Sequence, residues 1–468
     1  MVARIQVGEN DMEKKDKKVV EKQGMCQKKE IFGHAMGALG HDAVYSMWSS
    51  WITPFFTDVL LMTPGFMGIL FTVARIWDGV NDLMWGTIVD RTKSKYGRFR
   101  PWILRSSIIL AIVLVLSFTV PNFSANGKMI YAAIFYIIFD MVFTTIDISY
   151  WGLPAAMSSD PNERNKIFAW STTASNAIST ISSIIIPILL VNFGGETNAG
   201  SFFKVAMVIG IFALVMYLIC FALVREHVTP ANAEKFSVKL ALKNIYVNKP
   251  LFCVMIANLV TNLAFIIKMS VNYYYCSYNL GNVEIMSIIG LVTVPSMIIG
   301  SLLVPVISMR AGKRMALIGI MGVNLLASIV FFVLGYGNTV TVIICNAVQT
   351  TCVGAAMVCI NSMNADTIEY GEWKTGQRNE GVITSTRTLV VKIASTIQGI
   401  TLAAILGFTG YAPGATQAAS TLNSFHFVVS LLTGLVMFMG VIPMFFYDLT
   451  EEKHAEIMKE LANRKEQQ

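Results

Sequence analysis

The sequence predicts an all-α membrane protein of twelve membrane-crossing helices in two six-helix bundles, with both termini cytoplasmic. Three observations carry that expectation. The 468 residues are 54% hydrophobic and 14% charged, whereas an ordinary soluble domain has about 25% charged residues. Apolar stretches of about 20 residues, long enough to cross a bilayer as a helix, recur along the chain. Lysine and arginine alternate loop by loop instead of covering the surface evenly.

The spans read from the apolar stretches are 31–57, 66–90, 101–121, 128–157, 165–193, 201–224, 250–277, 283–309, 315–335, 338–366, 380–409 and 421–447. The segments 1–30, 91–100, 158–166, 225–249, 310–314, 374–378 and 450–468 hold 29 of the 36 basic residues. The intervening loops hold only Lys128 and Lys204. This asymmetry is the positive-inside pattern, which sets an even number of spans and a cytoplasmic position for both ends. The polar, Lys-rich segment 1–30 has no short apolar core followed by a small-residue cleavage site, so the first span is expected to stay in the mature protein.

The longest internal hydrophilic segment, 225–249, separates an N-terminal bundle, 31–224, from a C-terminal bundle, 250–447. A faint internal echo supports the halving. Asp90-Arg91 leads into a basic turn after the second span, and Arg310 to Arg314 forms a basic turn after the eighth. Such an organisation is common in secondary transporters, whose solute lies near the midplane between the repeats. In the C-terminal segment 448–468, Ile457 and Leu461 share one helical face, which suits either a helix lying against the cytoplasmic surface or, the preferred expectation, a solvated one.

Composition also excludes alternatives. The net charge of +7 follows the loops of one side, which points to a membrane rather than nucleic acid. No CxxC pair and no HExxH motif occurs, and no nucleophile–base constellation is evident, so no enzyme is expected and no cofactor. Cys345, Cys352 and Cys359 recur every seven residues and read as helix packing. A membrane sensor would carry an appended signalling domain, yet no segment outside the spans exceeds about thirty residues.

Charges inside the spans are the most informative feature. Asp42, Asp78, Asp82, Asp140 and Asp147 lie there with Arg75, Lys268, Arg387 and Lys392. One unpaired charge at the bilayer centre costs about 2.5–3.5 kcal/mol on insertion scales, so these groups must face one another or a wet cavity. Arg75 precedes Asp78 by three residues and can pair with it on one helix face. Asp78 and Asp82 are one turn apart with Asn81 beside them. Two such carboxylates repel unless a cation or proton lies between them, and hard cations seek oxygen ligands. The spacing suits Na⁺, Li⁺ or a shared proton, the competing explanation being salt bridges to Arg75 and Lys392. Thr144, Asp147 and Trp151 form one stripe of the fourth span. A carboxylate one turn from an indole suits a sugar: the acid accepts from hydroxyls and the ring stacks on the apolar sugar face. Asp140 lies roughly on the same side, either as a ligand or as a counter-charge to Lys268 or Arg387. Lys392 is a natural counter-ion for the second-span acids.

These residues resemble a known family. Arg75-Ile76-Trp77-Asp78-Gly79-Val80-Asn81-Asp82 followed by Lys95-Tyr96-Gly97-Arg98-Phe99-Arg100-Pro101-Trp102-Ile103-Leu104 is similar to the glycoside–pentoside–hexuronide:cation symporters. The likeness continues at Gly40-His41-Asp42, at Phe56-Thr57-Asp58 and from Asp147 to Trp151. It also covers Asp366 to Glu372 and Thr388 to Lys392, in order along nearly the whole chain. The resemblance implies a major-facilitator fold with alternating access in a cell membrane, expected to be a bacterial inner membrane. It implies a cation site at Asp78, Asn81, Asp82 and Thr144, and a sugar site at Asp42, Asp147, Trp151, Thr388 and Lys392. His41 and Arg387 join the sugar site as neighbours, and Arg75, Asp140, Lys268 and Arg378 as charge-pairing or gating residues.

Departures from the family's melibiose permease concentrate in the sugar pocket. His41 replaces a basic residue, Phe143 a tyrosine and Arg387 a neutral side chain, and no basic residue follows Lys166 on the fifth span. The expected solute is therefore a glycoside, pentoside or hexuronide other than melibiose. The alternative cargo is a lysolipid or other amphipathic solute, against which Trp151 and the buried acids argue.

Overall fold

Long apolar runs with few helix breakers fold as helices, because only a helix satisfies its own backbone in lipid. The computed structural model describes residues 26–228, 248–376 and 401–466. Its helices are α1 Lys28–Pro54, α2 Pro64–Arg91, α3 Arg100–Ser117, α4 Ala125–Met157, α5 Pro161–Asn192 and α6 Ala199–Leu223. They continue with α7 Lys249–Tyr274, α8 Ile285–Leu334, α9 Thr339–Thr375, α10 Ala419–Phe427, α11 Thr433–Phe438, α12 Val441–Phe445 and α13 Glu451–Glu466. No strand occurs among the described residues.

Among them, 8 helices are long and apolar enough to cross a membrane. Helices α1 and α2 coincide with the first two predicted spans and fall outside that set. They carry Asp42, Arg75, Asp78 and Asp82, whose charge lowers the local hydropathy. Helix α8 joins two predicted spans and breaks at Gly312, whose φ of 75° is left-handed. Helix α9 runs past its predicted end at 366 to Thr375 and is closed by Gly376 at φ 71°. The last predicted span is interrupted by a π-helical turn, Val428–Leu432, and by a break before α12. The eleventh predicted span lies mostly outside the described residues.

The described residues fall into two compact units, one of 26–60 and 73–228, the other of 61–72, 248–376 and 401–466. In the first, α1 packs against α5 and α6 and reaches Tyr150 of α4 along a seam of small residues, which lets membrane helices approach closely. A Cβ on Gly37 would sit 2.6 Å from the Tyr150 ring, and one on Gly40 2.9 Å from the Ala213 carbonyl oxygen. His34 of α1 ties the seam further, with Nδ1 2.6 Å from Ser171 Oγ of α5 and Nε2 3.2 Å from the Tyr150 carbonyl oxygen of α4. An aromatic layer stacks Trp48 on Phe139 and Phe118 on Phe202.

The family-like segment from Lys95 to Leu104 has a structural role. The Glu226 carboxylate accepts the backbone N–H groups of Arg98, Phe99 and Arg100, at 2.7, 2.8 and 2.9 Å. These are among the donors that a helix start leaves unsatisfied, and an anion there also complements the helix dipole. Arg100 donates to the Phe221 carbonyl oxygen at 2.7 Å, fastening α3 to the end of α6.

In the second unit, α13 is docked, contrary to the expectation of a solvated helix. Ile457 is 3% exposed and Leu461 8%, both in the core with Tyr370, Met444, Tyr447 and Leu449. Polar clamps surround that contact. Glu451 accepts the Lys313 N–H at the restart of α8 after Gly312, and His454 bonds Glu369. Trp373 Nε1 donates to Glu460 at 2.7 Å, and Arg464 donates to the Trp373 carbonyl oxygen at 3.0 Å. Ligand atoms of Asp366, Glu369 and His454 lie within 4.8 Å of one another. Lys313 Nζ bonds both Asp366 oxygens, at 2.8 and 2.6 Å, so the group works as an ion-paired strap. Two apolar residues per two turns were too few in sequence to distinguish a docked helix from a solvated one.

Ile457→Ala is expected to destabilise this unit by about 2–5 kcal/mol, the usual cost of truncating a core Ile. The measurement is the thermal midpoint of the purified protein, with the rate of tryptic cleavage within 451–466. Substitution at exposed Lys459 serves as the control and should stay within about 0.5 kcal/mol. Equal behaviour of the two variants would show α13 to be free.

Candidate solute and cation sites

The five acids read inside the spans, and Arg75, lie on three helices of the first unit: α1, α2 and α4. His41 lies two turns after His34 on α1, on the face that the glycine seam turns inward, and is 4% exposed. Its Nε2 is 2.9 Å from Asp147 Oδ1 of α4. The His41 ring meets Phe143 edge-on at 4.8 Å between centroids and lies 6.2 Å from Trp151. Trp151 itself stacks on Phe168 of α5 at 6.3 Å.

Two polar atoms in this cluster have no hydrogen-bond partner among the described residues. They are His41 Nδ1 and Asp42 Oδ2, both buried. The Asp147 side chain is 44% exposed, so its carboxylate reaches an open side of the unit. Unsatisfied buried groups cost about 1–3 kcal/mol each unless a ligand or water meets them. The arrangement offers a carboxylate, an imidazole and an indole face within one patch, a set suited to a polyhydroxylated ring.

On α2, Arg75 Nη1 donates to Asp78 Oδ2 at 3.0 Å, as the three-residue spacing predicts. Arg75 also lies in the field of Asp140 and Tyr136 of α4. Among the described residues the basic neighbour of Asp140 is therefore Arg75. Lys268, one of the two counter-charges considered from sequence, instead donates to Gln349 Oε1 at 2.7 Å in the second unit, and the other, Arg387, is outside the described residues. Sequence distance along separate helices carries no information on which buried charges meet, and the neutral amide of Gln349 was not visible as a partner for a lysine. Asn81 is fully buried, with neither Nδ2 nor Oδ1 hydrogen-bonded among the described residues. Asp82 and Thr144 are half-buried. Arg378, Arg387, Thr388 and Lys392 lie outside the described residues.

Two tyrosines that sequence reasoning did not single out lie among these charges. Tyr45 of α1 stacks on Phe143 at 5.6 Å between centroids, beside the His41–Asp147 pair. Tyr136 of α4 interacts with Asp140, Arg75 and Asp78. The signal was present in the spacing, since Tyr45 follows His41 by four residues and Tyr136 precedes Asp140 by four.

Among the described residues the fold is all-helical, and buried acids gather on α1, α2 and α4, as in membrane helices that line a solute or ion path. Solved structures place the fold. The chain aligns with the nucleoside transporter NupG at a TM-score of 0.61 and 14% identity, covering 90% of this chain and 100% of that one. It aligns with a D-xylose–proton symporter at 0.59 and 11%, covering 87% and 96%. Both likenesses are of fold, and the fold is that of the major facilitators.

The family described as MFS/sugar transport protein matches residues 33–451, and the chain belongs to that family. The sequence resemblance to the glycoside–pentoside–hexuronide:cation symporters thus holds. Among relatives, the uncharacterized symporter YjmB of Bacillus subtilis is 29% identical over 94% of this chain and 97% of its own length. The isoprimeverose transporter of Lactiplantibacillus pentosus is 30% identical over 91% and 92%. A putative sulfoquinovose importer of Salmonella typhimurium is 29% identical over 93% of each chain. The protein is a multi-pass transporter of the cell membrane.

Proposed function

We propose that the protein is a cation-coupled sugar symporter working by alternating access in a bacterial inner membrane. The observation that carries this reading is the His41–Asp147 pair beside the unbonded Asp42 Oδ2 and the Trp151 ring, on the same unit as the Arg75–Asp78 pair. Relatives named as sugar carriers support it.

In this reading Asp42, Asp147 and His41 bond sugar hydroxyls while Trp151 packs on the ring. Thr388, Lys392 and Arg387 contribute from the eleventh predicted span. A monovalent cation, Na⁺, Li⁺ or H⁺, is held by Asp78, Asn81, Asp82 and Thr144. Arg75 competes with it for Asp78, and when the cation enters, the guanidinium moves toward Asp140. Asp140 then keeps the displaced Arg75 neutralised inside the bundle. Ordering of α2 and α4 by the cation favours sugar binding, and by linkage the sugar favours the cation equally.

The test is uptake into proteoliposomes. A panel of neutral glycosides, pentosides and uronides is offered under imposed Na⁺, Li⁺ and proton gradients. Accumulation of at least one sugar driven by one of these gradients is expected. Acidic sugars outcompeting neutral ones would assign Arg387 and Lys392 to an acidic group. Uptake indifferent to every cation gradient would remove the coupling, and preference for a lysolipid over all sugars would remove the sugar.

A further inference from the structure

Outside the charge clusters, the first unit holds a cavity of ≈ 140 Å³ where α1 begins and α6 ends. Liquid water occupies roughly 30 Å³ per molecule, so a tetrahedral oxyanion fits. Its lining changes sharply along the helix axis. Ala222 and Leu223, the last residues of the apolar α6, form one wall, and Lys29, Arg225 and His227 form the rim. Successive residues on a helix rise only about 1.5 Å, so apolar surface gives way to positive charge within one turn's height. That is the profile of the boundary between acyl chains and headgroups.

The charge balance of the cavity is positive. Glu30 is its acid, but that carboxylate is 1% exposed and already used on both oxygens. Its Oε1 meets His227 Nε2 at 2.8 Å, and its Oε2 accepts the Gln27 N–H at 2.7 Å. Lys29 and Arg225 are exposed and make no ion pair among the described residues. Arg225 also lies in the field of Arg100, which adds to the positive potential. Glu226, the next acid along the chain, is committed to the start of α3. Basic pockets between membrane helices recognise anionic lipid headgroups, and an arginine can bind a phosphate through two parallel hydrogen bonds.

We propose that this cavity binds the headgroup phosphate of an anionic phospholipid from the adjoining leaflet, with Lys29 and Arg225 as the phosphate ligands. The apolar wall of Ala222 and Leu223 takes the glycerol and first acyl carbons, which favours a lipid over a free oxyanion. Gln27 supplies a neutral polar contact at the rim. The site is independent of the solute path and makes no use of its charges.

The experiment places the full-length protein in nanodiscs of dioleoyl phosphatidylethanolamine containing graded dioleoyl phosphatidylglycerol. Native mass spectrometry after release counts retained phosphatidylglycerol. One tightly held molecule is expected, bound roughly thirtyfold more weakly in the Lys29→Gln, Arg225→Gln protein, at about tenfold or less per lost charge. The charge-keeping Lys29→Arg, Arg225→Lys protein should restore binding, which separates loss of the site from loss of folding. A Lys93→Gln, Lys95→Gln control on the same basic end should bind as before. Equal weakening in that control would make the attraction diffuse and overturn the site. Equal retention of phosphatidylethanolamine would overturn the anionic class, and displacement by millimolar inorganic phosphate with no lipid retained would overturn the lipid.

Discussion

Asp78→Cys is expected to abolish cation-driven sugar accumulation while leaving measurable sugar binding. Asp78 carries half of the paired carboxylate charge of α2 and is the partner of Arg75 at 3.0 Å. Coupling between two bound species is typically worth about 1–3 kcal/mol, so the cation should lose its roughly 5–150-fold effect on sugar affinity. Asp82→Asn should behave alike, since either change removes the repulsion that a cation relieves. The readout is sugar affinity with and without Na⁺, Li⁺ or acid, together with accumulation under each gradient. Arg75→Gln separates the roles. With its competitor removed, the cation should bind more tightly in that protein, whereas a purely structural guanidinium would lower the thermal midpoint and leave cation affinity alone. Full response of the Asp78→Cys and Asp82→Asn proteins to an imposed gradient would place the ion elsewhere.

Asp147→Asn is expected to weaken sugar binding by roughly 10–150-fold, the equivalent of a hydrogen bond to a charged group at about 1.5–3 kcal/mol. Two contacts change together, because the same carboxylate orients His41 at 2.9 Å. Trp151→Ala should weaken binding by about tenfold through loss of the ring face, and Trp151→Phe should keep most of it. Cation binding, measured in the absence of sugar, should survive all three changes. Isothermal titration of the purified protein reads both ligands. A loss of cation binding in Trp151→Ala would mean that the indole supports the fold of α4 rather than the solute.

Much of the fold was legible because hydropathy is a local property. Helices α3 to α7 begin and end within about four residues of their predicted limits, since loop composition changes sharply there. The break at Gly312 was read as a turn between two spans, and the left-handed backbone there, with the Lys313 N–H passed to Glu451, divides α8 at that point. The extension of α9 to Thr375 was missed because its last turns carry Asp366, Glu369, Glu372 and Lys374, which read as a loop by polarity alone. Asp366 there is met by Lys313 and Glu369 by His454, both from other helices, and Trp373 of the same turns donates to Glu460 of α13.

The candidate sites were legible in their one-helix relations and opaque between helices. Arg75 with Asp78 follows from three-residue spacing. The meeting of His41 with Asp147 does not, since it depends on how closely Gly37 and Gly40 let α1 approach its neighbours. Asp140 shows the same limit: its neighbour Arg75 sits on another helix, and only packing selects it over Lys268.

The docking of α13 also imposes an order on synthesis. Ile457 and Leu461 complete a core whose other members, from Cys253 to Leu449, leave the ribosome earlier. The first unit contains its own buried layers and can settle while translation continues, as N-terminal domains commonly do. The second must hold Tyr370, Met444 and Tyr447 uncovered at its basic end until the 451–466 stretch emerges. In that interval the growing chain exposes apolar surface toward the aqueous phase, where insertion factors and quality-control proteases act. Changes that weaken α13 are therefore expected to lower the amount of transporter reaching the membrane before they alter what it carries.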